Sequence, residues 1–230
     1  MTPQDPATEV SGNWRDLAVA RSLDPARARA EKRVQRFLDA ALELMSSSDS
    51  KDFTVQQVVE RSGQSLRSFY QYFAGKHELL LALFEEAVRK TAERLQAEID
   101  DEQDPLERLR RFAVVYYESC RPTPATGSGR DEPLALAEFA QQLLTAHPKE
   151  ASRAFGPIVE LLEGVLDDAA AAGVIRSAMS SRRVAGVILQ AVMFNAFAAT
   201  ISGTPIEPGD DAAEELWQLV LHGIGADPSA

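Results

Sequence analysis

Two short helical segments joined by a tight turn, within residues 54–73, limit the fold of this chain more than any other feature. Thr54 is a good N-cap, and Gln57 follows three residues later, as in a capping box. Gly63 suits the end of the first segment, because helices often end on a glycine in the left-handed conformation. Ser65 offers a fresh N-cap for the second segment. This pattern predicts a helix-turn-helix unit.

The second segment, predicted from about Leu66 to Tyr72, carries rings on one side and polar groups on the other. Phe69 and Phe73 are four residues apart and can pack on the first helix. In a helix-turn-helix the start of the second helix meets base edges, where Arg67 could bind guanine and Leu66 a thymine methyl group. The side chains expected to contact DNA are Thr54, Ser65, Leu66, Arg67, Ser68, Tyr70, Gln71, Tyr72 and Lys76.

Helical periodicity describes the rest of the chain, since no strand-like alternation of useful length occurs. The predicted fold class is all-α, with about nine helices: a helix-turn-helix DNA-binding domain followed by a helical bundle. Besides the two short ones, helices are predicted from about Pro25 to Met45 and at about residues 76–99, 105–120, 133–146, 149–172, 181–202 and 212–223. The predicted divisions are a disordered N-terminal arm at 1–24, the DNA-binding domain at 25–75 and the bundle at 76–226.

The charge of the chain is divided unevenly between these parts. The 230 residues carry a net charge of −11, which by itself argues against nucleic-acid binding. Residues 1–76, however, hold 11 Lys/Arg against 10 Asp/Glu, whereas the remainder holds 13 against 25. A basic run from Arg27 to Arg36 lies in the first part, and it is either a solvated helix face or a DNA-contacting arm. Phosphate contacts act over roughly 10 Å or less at physiological salt, so a locally basic module could still bind DNA.

The start of the chain and its cysteine content favour a cytoplasmic location. Cys120 is the only cysteine, so an internal disulfide is impossible, which fits a reducing compartment. The N-terminal residues lack the basic and apolar regions of a signal peptide. The apolar segment Val184–Ile201 approaches the length of a membrane span, but it contains Gln190 and Asn195 and reads better as a buried or interface helix.

The stretch from Phe53 to Phe84 resembles the DNA-binding region of the tetracycline-repressor (TetR) family of bacterial transcription regulators. The shared features are the opening threonine, the glycine in the turn, the run Ser65-x-x-Ser68-x-Tyr70-x-Tyr72-Phe73, and Lys76-x-x-Leu79. Gln64 and Ser68 depart from the common pattern without removing a phosphate donor. The resemblance implies an all-α ligand-binding and dimerisation domain, a homodimer through helices at about 181–202 and 212–223, and a near-palindromic operator. It favours a repressor.

A set of large apolar residues in the C-terminal part could line a cavity between helices. Its members are Phe84, Tyr116, Tyr117, Phe139, Phe155, Met193, Phe194 and Phe197. Taken singly, each is better explained as a core residue. Gln190 and Asn195 need polar partners if buried, and either a ligand or a partner helix could supply them. We hypothesise a small, largely apolar effector.

No pattern in the chain indicates catalysis. His77, His147 and His222 are far apart in sequence and lack metal-ligand spacing. Cys120, beside Arg121, is either an oxidant sensor or a passive thiol. Phosphate-cradling glycine loops and nucleophile elbows are missing from the sequence, so we predict no enzyme, cofactor or metal. An alternative of another class is an α-helical carrier or enzyme with a vestigial DNA-binding head, for which no clustered acid–base set is evident.

Overall fold

The computed structural model describes residues 14–46, 53–121, 132–176, 180–201 and 211–224, and these form ten helices. Their bounds are α1 Trp14–Ser46, α2 Val55–Ser62, α3 Leu66–Tyr72, α4 Lys76–Ile99, α5 Pro105–Cys120, α6 Glu132–Ala146, α7 Pro148–Ala154, α8 Gly156–Ala171, α9 Ser181–Ile201 and α10 Ala212–Ile224. The predicted all-α class is therefore confirmed.

The first three helices and the start of α4 share a small aromatic core. Phe37 of α1 meets the ring of Phe69 edge-on, with ring centroids 5.4 Å apart, and that of Phe73 at 6.1 Å. Leu79 and Leu83 close this core from α4. Because aromatic pairs in such arrangements add to ordinary area burial, α3 is held firmly against α1. We call the unit formed by α1, α2, α3 and the start of α4 the head.

The second core lies among α4 to α10, and α5 is at its centre. Helix α5 packs against α4, α8, α9 and α10. Phe112 of α5, Leu162 of α8 and Trp217 of α10 are almost completely buried within it. Arg110 joins α5 to α10 through Glu214, with a 2.7 Å contact between the guanidinium and the carboxylate. We call this unit the body.

Two predicted helix boundaries are wrong. Helix α1 begins at Trp14 rather than near Pro25, which lies inside the helix. The single helix predicted at about 149–172 is divided into α7 and α8 at Phe155. Pro157 explains the division, because proline lacks a backbone N–H and its ring collides with the carbonyl four residues earlier in a continuous helix.

Helix α9 is buried on one side only. Ala185, Ile188 and Val192 face the core, whereas Val187 is 62% exposed. Within the described residues, none of the helices is both long enough and apolar enough to cross a membrane. The exposed apolar side chains of α9, Val187 and Phe194, face outward from the body of one chain.

Candidate nucleic-acid interface and ligand cavity

Helix α2 begins and ends as its sequence signals predict. The Thr54 hydroxyl accepts a hydrogen bond from the Gln57 N–H at 3.3 Å, and the Gln57 side chain accepts one from the Thr54 N–H at 2.8 Å. Gly63 ends the helix with φ at +63°, a conformation that side chains with a Cβ rarely adopt. The turn thereby sets the angle at which α3 leaves α2.

Helix α3 separates a buried face from an exposed face within seven residues. The Ser65 hydroxyl caps it by accepting a hydrogen bond from the Ser68 N–H at 3.1 Å. Phe69 is fully buried in the head, whereas Tyr70 beside it is 57% exposed. The exposed face presents a hydroxyl, an aliphatic side chain and a guanidinium from Ser65, Leu66 and Arg67. These groups are of the kinds that read base edges.

Most of the predicted DNA-contacting side chains reach solvent. The exposed ones are Thr54, Ser65, Leu66, Arg67, Tyr70 and Gln71, and the half-buried ones are Tyr72 and Lys76. The Lys76 ammonium lies 4.4 Å from the centre of the Phe53 ring. Ser68 differs, because its hydroxyl oxygen is enclosed and has no hydrogen-bond partner among the described residues. Contact between Ser68 and DNA would require a different rotamer.

Some groups predicted to meet phosphate are already engaged within the chain. The backbone N–H of Ala74, just before α4, donates to the Glu78 carboxylate, so one amide near the expected anion site is occupied. In the basic run, Arg27 pairs with Glu31 at 2.8 Å. Arg29 donates to the backbone oxygen of Pro25 at 2.9 Å. A DNA contact by this run stays a prediction.

The body contains a cavity of about 370 Å³ beside the break between α7 and α8. Its walls come from α5 to α9: Tyr116, Leu144, Pro148, Ala151, Ser152, Phe155, Val159, Arg182, Gly186, Leu189, Gln190 and Met193. The volume is within the range of small-molecule sites, and most of the lining is apolar.

Three of the eight predicted effector residues, Tyr116, Phe155 and Met193, line this cavity. Phe84 lies directly behind the wall, because its ring contacts that of Phe155 at 5.2 Å. Phe139 is one ring further away, 6.2 Å from Phe84.

The other three predicted residues lie elsewhere. Tyr117 is buried with the Arg121 guanidinium 5.5 Å from its ring, Phe194 faces outward on α9, and the Phe197 side chain is outside the described residues. The sequence analysis did not identify the cavity-lining residues of α7, Pro148, Ala151 and Ser152. The Gly-Pro pair after Phe155 signals the helix break beside which the cavity lies.

Polar groups of the cavity are concentrated on α9. Gln190 is exposed, as is Arg182, which contacts Glu163 of α8 at 3.3 Å. Tyr116 of α5 also lines the cavity, and burial raises the pKa of its hydroxyl well above the usual value, so that hydroxyl stays neutral. The cavity thus has an apolar interior with a cationic group near its edge.

Cys120 lies in the body with its thiol largely enclosed. Burial raises its pKa to about 12, and a hydrogen bond with Tyr116 offsets the rise only in part. Since the thiolate is the reactive form, these surroundings favour a passive thiol over an oxidant sensor.

The model of the family described as "Bacterial regulatory proteins, tetR family" matches residues 37–83, which span the end of α1, both short helices and the start of α4. Over these residues the chain is similar to this tetR family. The matched segment lies within the head, and the resemblance noted in the sequence is confirmed.

Curated relatives match this chain over only part of its length. The HTH-type transcriptional regulator BetI of Brucella anthropi is 31% identical over 85 residues, which are 37% of this chain and 44% of that protein. BetI of Brucella canis is 29% identical over 114 residues, or 50% and 49% of the two chains. The chain therefore spans less than half the length of the curated relatives it matches.

Solved structures match the chain over most of its length. The fatty acid regulator FadR from Bacillus subtilis, in complex with stearoyl-CoA, has a TM-score of 0.65 and 17% identity, covering 83% of this chain and 98% of FadR. A TetR-family regulator from Pectobacterium atrosepticum has a TM-score of 0.64 and 22% identity, with coverages of 88% and 98%. At these identities the likeness establishes the fold.

Proposed function

We propose that this protein is a transcriptional repressor in the bacterial cytoplasm, a regulator rather than an enzyme, that binds a palindromic operator as a homodimer and is released by a small, largely apolar effector. The observation that carries the proposal is the division of α3 into two faces. Phe69 anchors one face in the head, while Ser65, Leu66 and Arg67 lie exposed at the beginning of the other.

In this function α3 lies in the major groove. Arg67 donates two hydrogen bonds to a guanine, and Leu66 contacts a thymine methyl group. Thr54, Tyr70 and Lys76 bind phosphates on either side and fix the register of the head without reading sequence. The net charge of +1 in residues 1–76 supports this arrangement, because the acidic body then lies away from the DNA.

Exposed apolar side chains on α9 and α10 support a dimer. Val187 is 62% exposed and Leu219 is 70% exposed, and Phe194 also faces outward. A second copy would cover these side chains through the same two helices, as expected for a twofold interface. Two heads related in this way reach half-sites about 34–36 Å apart, or a multiple of that distance.

The cavity supports an effector with an apolar portion and one polar or anionic group. The apolar part would contact Phe155, Leu189 and Met193, and the polar group would meet Arg182 or Gln190. FadR, which shares this fold, was solved with stearoyl-CoA, a ligand of that general chemistry. Helix α4 begins in the head and packs against α7 and α8, so it can carry a change at the cavity to the head.

The experiment is a fluorescence-anisotropy titration of DNA from the region upstream of the protein's own gene, at several salt concentrations. We expect salt-dependent binding that Arg67→Ala weakens by about 1–3 kcal/mol, with relaxed preference at one base pair. Lys76→Ala should weaken binding to every sequence. Arg94→Ala, which removes an exposed arginine far along α4, is the matched control. Unaltered affinity and preference in Arg67→Ala would contradict the proposed reading role.

A further inference from the structure

Two histidines that are distant in sequence meet at the junction of the head and the body. His77 lies in the first turn of α4, and His147 lies between α6 and α7. Their ring centroids are 4.6 Å apart. Glu150, in the first turn of α7, approaches both rings: its carboxylate oxygens are 2.7 Å from His77 Nε2 and 3.9 Å from His147 Nδ1. The two histidines lack metal-ligand spacing in the sequence, and the fold nevertheless brings their rings together.

The three side chains present the donor set that a divalent transition metal prefers. Two imidazole nitrogens and one carboxylate oxygen lie within 4.8 Å of one another. In a tetrahedral zinc site, ligand atoms about 2.0–2.2 Å from the metal are roughly 3.3–3.6 Å from each other, so small side-chain rotations suffice. We propose that His77, His147 and Glu150 bind one divalent transition metal ion of the Zn²⁺ class. The fourth position is left to water.

The local structure holds these donors in place. His147 and Glu150 are three residues apart at the start of α7, a spacing that brings side chains to one side of a helix. The His77 ring rests against Phe139 of α6, with centroids 5.7 Å apart. The side chains of the three donors are between 34% and 42% exposed, so an ion can reach them from solvent.

The charges around the cluster are compatible with a cation. A hydrogen bond with His77 holds the pKa of Glu150 below its usual value, so this carboxylate is ionised at neutral pH. Arg153, three residues after Glu150 on α7, has its guanidinium 2.9 Å from the Glu85 carboxylate, which offsets its positive charge. Without a metal ion, the three side chains would be held together by hydrogen bonds and a proton alone. A metal titration distinguishes these two states.

A metal at this point would connect the head to the wall of the cavity. His77 follows Lys76 directly, and α7 contributes Pro148, Ala151 and Ser152 to the cavity lining. An ion bound by both elements would restrain the movement of α4 relative to α7. This regulatory consequence rests on the proposed function, whereas metal binding itself does not.

The test is a titration of the full chain with Co²⁺ and Zn²⁺, using protein without a histidine tag that has been dialysed against chelator. Co²⁺ binding is followed by visible absorption and Zn²⁺ binding by calorimetry. We expect one ion per chain and a Kd at least about tenfold higher in His77→Gln and in Glu150→Gln. His222→Gln, which removes the remaining histidine outside the cluster, should bind as the unaltered protein does.

Thermal unfolding provides the second readout. Saturating Zn²⁺ should raise the Tm of the unaltered protein and of His222→Gln, but not that of His77→Gln. Absence of saturable binding at one ion per chain would overturn the proposal, as would unchanged binding in His77→Gln. Cobalt–thiolate absorption bands would show that the ion binds Cys120 instead, and this result would also overturn the proposal. Because neither readout contains DNA, the outcome is independent of whether the repressor function holds.

Discussion

At the scale of single residues, the enclosed hydroxyl of Ser68 conflicts with its predicted role on DNA. Its oxygen has no hydrogen-bond partner among the described residues, and a buried polar group in that state lowers stability. We therefore expect Ser68→Ala to leave the free energy of unfolding unchanged or to raise it. Operator affinity should fall less than in Arg67→Ala. Urea denaturation and anisotropy titration measure the two effects, and a large loss of operator affinity would show that the hydroxyl turns outward on DNA.

The contrast between Phe69 and Ser68 also shows what a sequence reveals about single residues. The spacing of Phe69 and Phe73 identifies the buried face of α3, because rings four residues apart must share a side of a helix. The direction of the Ser68 hydroxyl depends on the rotamer allowed by neighbouring helices. Sequence periodicity contains no information on that choice.

At the scale of elements, two glycines should respond oppositely to the same substitution. Gly63 has φ at +63° in the turn, so Gly63→Ala should destabilise the protein by about 1 kcal/mol. Gly164 lies inside α8, where an added Cβ meets no atom within 4 Å, so Gly164→Ala should stabilise by about 0.5–1 kcal/mol. Denaturant unfolding of both variants measures these changes. Equal destabilisation by the two would contradict the assignment of strain to the turn.

The ion pair between Arg110 of α5 and Glu214 of α10 should make the free energy of unfolding depend on pH. Arg110 donates to Glu214, and this hydrogen bond is the main cause that lowers the pKa of Glu214 in the folded protein. Its stabilising contribution is therefore complete above the ordinary glutamate pKa of about 4.3 and disappears as the pH falls through the lower folded value.

The variant that tests this ion pair is Glu214→Gln. Its control is Glu215→Gln, at the exposed neighbouring position. At pH 7 the first should be slightly less stable than the unaltered protein, and the difference should vanish in strong acid. Denaturant unfolding at a series of pH values gives the comparison. A difference that persists in strong acid would mean that packing, rather than charge, explains the loss.

The helices themselves were largely predictable, whereas the cavity was not. Caps such as Thr54 and Ser65 act locally, so their effect can be read within a few residues. The cavity lies beside the point where Pro157 divides one predicted helix into α7 and α8. Its position depends on how distant helices pack, as does the meeting of His77 with His147.

At the scale of the whole molecule, the apolar surface of α9 and α10 predicts assembly. Replacing both Val187 and Leu219 by glutamate should leave the monomer folded, because both side chains are exposed in one chain. Under the proposed function, the charged pair should separate the dimer and greatly weaken operator binding, since each head alone would contact half a site. Sedimentation velocity measures the mass, and Ala97→Glu on α4 serves as the control. A dimer of unchanged stability would place the interface on another surface.

The aromatic contacts of Phe37 with Phe69 and Phe73 have a consequence for selectivity. Helix α3 cannot shift on α1 without opening a filled interior, so any signal from the body must turn the whole head as one piece. Under the proposed function, such a turn would change the affinity for the operator and leave the base preference unaltered. In a repressor built this way, folding of the head would fix the preferred base sequence, and an effector could change only the affinity.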